Sequence, residues 1–137
     1  MPDPVDQAPP ILAGMTPIAT DAPMTAAEFR TMREQLGFSR AEMARFHNVS
    51  SQTIENWERV KGKNNYPVPA GVTVAMMLLW DQQTSTVGEL TRQLKDSTKA
   101  TLTLPIGNPT MPDGYWRSIA WLVMQTVPGV RVTYAGD

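Results

Sequence analysis

The chain has no cysteine and a single histidine, His47, among its 137 residues. Without cysteine there is no disulfide framework, no thiolate metal site and no cysteine nucleophile, a usage that fits a reducing, cytoplasmic setting. One histidine excludes multi-histidine metal sites and histidine dyads. Glycine-rich phosphate loops and clustered carboxylates are also missing, so no catalytic constellation is visible, and neither enzymatic activity nor a cofactor is expected. No apolar run approaches the roughly 20 residues that cross a bilayer, the longest being VAMMLLW at 74–80, so no membrane partner is expected. The opening MPDPVDQAPP carries acids where a signal peptide needs bases, which argues against secretion.

A large excess of charge is absent too. The formal net charge is −1, which does not by itself suggest a nucleic-acid partner. Its distribution is uneven. Residues 1–23 hold three acids and no base, 24–65 hold seven bases against five acids, and 66–137 hold five of each. Only the middle third is basic, and mildly, so nucleic-acid binding there would be local and specific.

Residues 1–22 are rich in Pro, Ala and Asp without periodicity and read as a flexible arm, solvated or ordered by a partner. Order begins at the capping box TAAE, Thr25 to Glu28, followed by Phe29, Met32 and Leu36 at helical spacing and a stop at Gly37. A second capping box, SRAE at Ser39 to Glu42, opens a short helix with Met43 and Ala44 inward. Asn48 suits the left-handed backbone of a tight turn, Ser50 offers an N-cap, and a third helix should run from about Ser51 to Arg59. In it Ile54 and Trp57 face inward, while Ser51, Gln52, Asn56 and Arg59 lie opposite. Taken alone, that polar face is an ordinary solvated surface.

Together, LGFSRAEMARFHNVSSQTIENWE resembles the helix-turn-helix of the Cro and phage-repressor class, the xenobiotic-response-element family. The matching features are small Ala44 where the helices cross, Asn48 with Val49 and Ser50 in the turn, Thr53 and Ile54 packing the second helix, and Trp57 and Glu58 closing it. The resemblance covers about residues 25–80. One position departs: His47 stands where the family has leucine, and Phe46 beside it is expected to rotate in and fill the space. By this resemblance the helix beginning at Ser51 enters the major groove of double-stranded DNA. Ser51, Gln52 and Asn56 would face base edges, the carboxamides pairing bidentately with adenine. Phosphates would be held by Arg40, Ser50, Thr53, Arg59, Lys61 and Lys63, assisted by the free amides of the helix starts. Glu58 would be a hydrogen-bond partner at the helix end.

Beyond the motif, YPVPAGV leads into a helix that is apolar nearly all round from Val72 to Trp80 and then narrows to Val87, Leu90 and Leu94. One long helix is expected, although Gly88 and the Thr-Ser-Thr run would permit a break at 84–88. TLTLP at 101–105 and VRVTY at 130–134 alternate as strands, and between them Asp113 should cap the helix GYWRSIAWLVMQTV. A strand-helix-strand of this size is a poor free-standing core. Two remedies present themselves: homodimerisation, with strands pairing across subunits and an interface of Tyr115, Trp116, Ile119, Leu122, Val123 and Val132, or folding back on the amino-terminal domain. The order of parts also faintly resembles phage regulators found beside anti-CRISPR genes, through Tyr115, Trp116 and Arg117.

The expected fold is mainly α. It comprises a flexible arm (1–22), a five-helix Cro/repressor-like helix-turn-helix domain (23–83), and a long-helix continuation with a β-α-β dimerisation region (84–137). The expected function is a cytoplasmic, homodimeric transcriptional repressor. The alternative is an antitoxin-type protein that binds a protein partner through its carboxy-terminal region and autoregulates its operon.

Overall fold

Along the chain the elements are α1 (Ala26–Leu36), α2 (Arg40–His47), α3 (Ser51–Trp57), α4 (Ala70–Lys95), β1 (Thr101–Leu104), α5 (Asp113–Thr126) and β2 (Arg131–Tyr134). They are seen in a computed structural model that describes residues 23–60 and 66–137; the arm at 1–22 and the loop at 61–65 lie outside the described residues. The described protein is mainly helical with one small two-stranded sheet. No helix among the described residues is long and apolar enough to cross a membrane.

The first three helices begin and end where their side chains dictate. Thr25 Oγ1 accepts from Glu28 N at 3.1 Å while Glu28 Oε1 accepts from Thr25 N at 2.8 Å, closing the first capping box. Ser39 and Glu42 make the second in the same way. Gly37 ends α1 in the left-handed region, at φ 84°, and no side chain would fit there, because a Cβ would lie 2.0 Å from Gly114 O. Asn48 ends α2 at φ 57°, the one non-glycine residue with positive φ among those described. Helix α3 is two residues shorter than expected, since Glu58 serves as its C-cap.

Helix α4 runs unbroken through Gly88 for 26 residues, so a boundary between domains at 83/84 would fall inside one helix. Within the polar run the Thr86 hydroxyl is satisfied inside the helix, donating to Gln82 O at 2.9 Å. Val87, Leu90 and Leu94 also pack against the core. Counting five helices requires α5, because only four precede the first strand.

The carboxy-terminal segment corrects the expectation of association in two respects. First, β1 pairs with β2 of the same chain, in parallel, with Thr101 opposite Arg131 and Leu104 opposite Tyr134. Parallel neighbours need a long crossover, and α5 supplies it. Second, Tyr115, Ile119 and Val123 are buried to within 1% of completely, in the same apolar cluster as Phe29, Met43, Ile54 and Met76. They are core of this chain and are not available to a dimer interface; Ile119 and Val123 each contribute about 1.5–3 kcal/mol by leaving water, whereas Tyr115 also buries a hydroxyl that has no hydrogen-bond partner among the described residues. Trp116, Leu122 and Val132 are half-buried. Asp113 does not cap α5. The N-cap is Pro112, and the Asp113 carboxylate instead accepts from Gly107 N at 2.9 Å.

Around the turn, the filling of the leucine position is also corrected. Phe46 remains 38% exposed, edge-on to Phe38. His47 itself turns inward between the rings of Phe29 and Trp57, with Nε2 3.4 Å from Met76 Sδ. Burial holds the His47 pKa below its usual 6.5.

Candidate nucleic-acid interface

Helix α3 is presented by what lies beneath it. Ile54 is fully buried and Trp57 nearly so, with the Trp57 ring edge-on to Phe29 at 5.6 Å. Ala44, 4% exposed, leaves room where α2 crosses below. At the turn, Ser50 Oγ accepts from Thr53 N at 3.1 Å and lies 3.0 Å from Thr53 Oγ1. Both hydroxyls are thus engaged in the N-cap. The Ser51 and Gln52 amides are left as first-turn donors without an internal partner among the described residues.

The outer face gathers the base-reading candidates as the helical repeat demands. Ser51 and Gln52 are exposed and Asn56 is half-buried. Gln52, Asn56 and Arg59 form one chain of hydrogen bonds, in which Gln52 Nε2 and Arg59 Nη2 each donate to Asn56 Oδ1 at 3.1 Å. The Arg59 guanidinium also sits 5.7 Å from the centre of the Tyr66 ring. With its oxygen occupied, Asn56 still offers its NH2, and Gln52 still offers its carbonyl. The carboxamides and the guanidinium are thereby gathered into one hydrogen-bonded row on the surface.

Arg40 opens α2 and donates from Nε to Glu58 Oε1 at 3.2 Å. Lys61 and Lys63 lie outside the described residues.

Three features of the candidate surface and of its support were not read from the sequence. Arg33 is buried, donating from Nη2 to Glu58 Oε1 at 3.0 Å and from Nη1 to Phe38 O at 2.9 Å, with Nε on Glu58 Oε2. The clue was its place four residues after Phe29, on the apolar stripe of α1. Glu55, exposed one turn after Ser51, adds an acid to the same surface. Arg45 is a further exposed cation, in the last turn of α2. From residue 24 to 60 five arginines stand against five glutamates, so the excess positive charge of this region resides in Lys61 and Lys63.

No protein-family model matches the chain, and no curated protein matches it significantly.

Proposed function

We propose that the chain is a sequence-specific DNA-binding regulator, a cytoplasmic homodimeric repressor that reads a palindromic operator through α3 in the major groove. The observation that carries this is the row Ser51, Gln52 and Asn56 on the outside of a short helix, continued by Arg59 just past its C-cap, while the inner side chains, Ile54 and Trp57, are locked in the core. Gln52 keeps its carbonyl and one amide proton, an acceptor and a donor that match the N6 and N7 edge of adenine, while Asn56 offers its NH2 as a donor and a guanidinium matches guanine. Glu55 could accept from the exocyclic amine of cytosine. Phosphate contacts fall to Arg40, Arg59, Lys61, Lys63 and the amides around Ser50 and Thr53. A helix this short reads too few bases alone, so two copies about 34 Å apart are required. The second copy would meet a surface still open in the single chain, such as Val74 and Leu78, one turn apart on α4, or the outer edge of a strand, since β1 and β2 each have only one neighbour among the described residues. A dimer seated on a promoter blocks polymerase without further machinery.

The antitoxin alternative drew on a broad apolar helix at 113–127. With Tyr115, Ile119 and Val123 buried in the chain's own core, only Trp121 and Met124 are well exposed on α5 as large apolar side chains, and the repressor is preferred. Selection of bound duplexes from a random library tests the proposal. Two related half-sites 10 to 10.5 base pairs apart, or a multiple of that spacing, are expected. Absence of any enriched sequence would exclude the function.

A further inference from the structure

The first turns of α5 are seated on the turn between α1 and α2, immediately before the Ser39 cap of α2. Three contacts hold them there. Gly114 meets Gly37 so closely that a Cβ on either would overlap the other's carbonyl, Ser118 Oγ donates to Gln35 O, and the Tyr115 ring stands edge-on to Phe38 at 6.1 Å. Arg117, three residues after Gly114 and next to Ser118, is exposed at this junction. A Cβ built on Gly114 would lie 2.1 Å from Gly37 O and 3.5 Å from Arg117 Nη2, so that nitrogen is within about 6 Å of the carbonyl. Gly37 is three residues from Arg40, at most about 11 Å of chain.

The acids around this junction have other partners. Glu34 pairs with Arg30, Glu42 closes the Ser39 capping box, Glu58 is shared by Arg33 and Arg40, and Asp113, one turn before Arg117, accepts from Gly107 N. Among the described residues no carboxylate makes an ion pair with Arg117. At the start of α2, Arg33 and Arg40 are matched in charge by Glu42 and Glu58, so Arg117 brings the unmatched cation to this corner.

We infer that Arg117 holds a phosphate of the DNA backbone close to the one held by Arg40, so that the carboxy-terminal segment extends the DNA-binding surface past the helix-turn-helix. The inference rests on the proposed binding of DNA through α3. A phosphate contact carries no sequence information; it fixes how the reading helix lies on the duplex.

The test uses the full-length wild type, Arg117→Gln, Arg117→Lys and the Gln52→Ala, Asn56→Ala double variant. Each is titrated by fluorescence anisotropy, over a series of salt concentrations, with a duplex selected by the wild type and with a scrambled one. Arg117→Gln should weaken binding to both duplexes alike, by about fivefold or more at about 100 mM salt, and lower the salt slope by about 0.9. Arg117→Lys keeps the point charge and should keep the slope. The inference is overturned if Arg117→Gln leaves the slope unchanged, if its loss is confined to the selected duplex, or if Arg117→Lys loses as much as Arg117→Gln. The two readings fail separately. Equal affinity of the double variant and the wild type for the selected duplex removes the reading helix and leaves Arg117, whereas an unchanged slope in Arg117→Gln removes Arg117 alone. If the wild type binds no duplex even at the lowest salt, both fall.

Discussion

Removing the Glu58 carboxylate should be among the most damaging single changes near the proposed reading helix, although Glu58 faces no ligand. Its side chain is 1% exposed and its oxygens are shared by Arg33, itself 9% exposed, and Arg40. Glu58→Ala strands the Arg33 guanidinium in the core with only the Phe38 carbonyl to receive it. Breaking a buried pair from one side costs about 3–5 kcal/mol, whereas the half-exposed Arg40 contact accounts for no more than about 1 kcal/mol. Against a total stability of roughly 5–15 kcal/mol, the loss would lower Tm by about 10–20 °C. Urea denaturation of four proteins reads it: wild type, Glu58→Ala, Arg33→Met, and the double variant Arg33→Met, Glu58→Leu. The double variant is expected to be clearly more stable than Glu58→Ala, because replacing both partners leaves no orphaned charge. If Glu58→Ala costs less than about 1 kcal/mol, or if the double variant is no better, the pair is not the buried clamp described here.

Acid should weaken the fold through His47. Its pKa is lowered by burial, so the unfolded chain takes up a proton first; the stability held in neutral His47 is complete above pH 6.5 and is lost as pH falls from there through the lower folded value. His47→Leu should remove that part of the pH dependence in urea titrations at pH 5–8, and an unchanged profile would contradict it. The glycines should divide by surroundings. Gly88→Ala, in the interior of α4 with open space around its Cα, should stabilise by about 0.5–1 kcal/mol. Gly37→Ala, left-handed and against Gly114 O, should destabilise by at least about 2 kcal/mol. Thermal melts showing the reverse order would refute the packing of α1 against α5. If the proposed DNA binding holds, Lys61→Ala with Lys63→Ala should weaken binding uniformly across sequences and lower the salt slope by about 1.8, measured by fluorescence anisotropy; an unchanged slope would remove both lysines from the contact.

Local chemistry was legible. The Thr25 and Ser39 capping boxes, the left-handed Gly37 and Asn48, the N-cap at Ser50 and the inward Ile54 and Trp57 are each set within a few residues, and each is present in the fold. Partnership over distance was not. Periodicity showed that Tyr115, Ile119 and Val123 needed burial, but a stripe does not say whether the surface that covers it belongs to the same chain. Even the Gly37–Gly114 approach that seats α5 reads in the sequence only as two turn-like residues. Likewise β1 and β2 alternated as strands, while their parallel pairing depends on α5 folding between them. The Arg33–Glu58 pair spans 25 residues, and a lone arginine on an apolar stripe carries no mark of its partner. At the candidate interface the sequence placed Gln52 and Asn56 on one face, but not the hydrogen bonds that tie them to Arg59, since those depend on rotamers.

The most direct test compares wild type with the Gln52→Ala, Asn56→Ala double variant on duplexes selected by the wild type, with a scrambled duplex as reference. Both side chains are on the outer face of α3 and neither is in the core cluster, so folding should be intact. At about 1–3 kcal/mol per base pair read, the variant should lose at least tenfold in affinity for the selected site and little for the scrambled one. Equal affinity of the two proteins for the selected site would contradict the assignment of α3 as the reading helix.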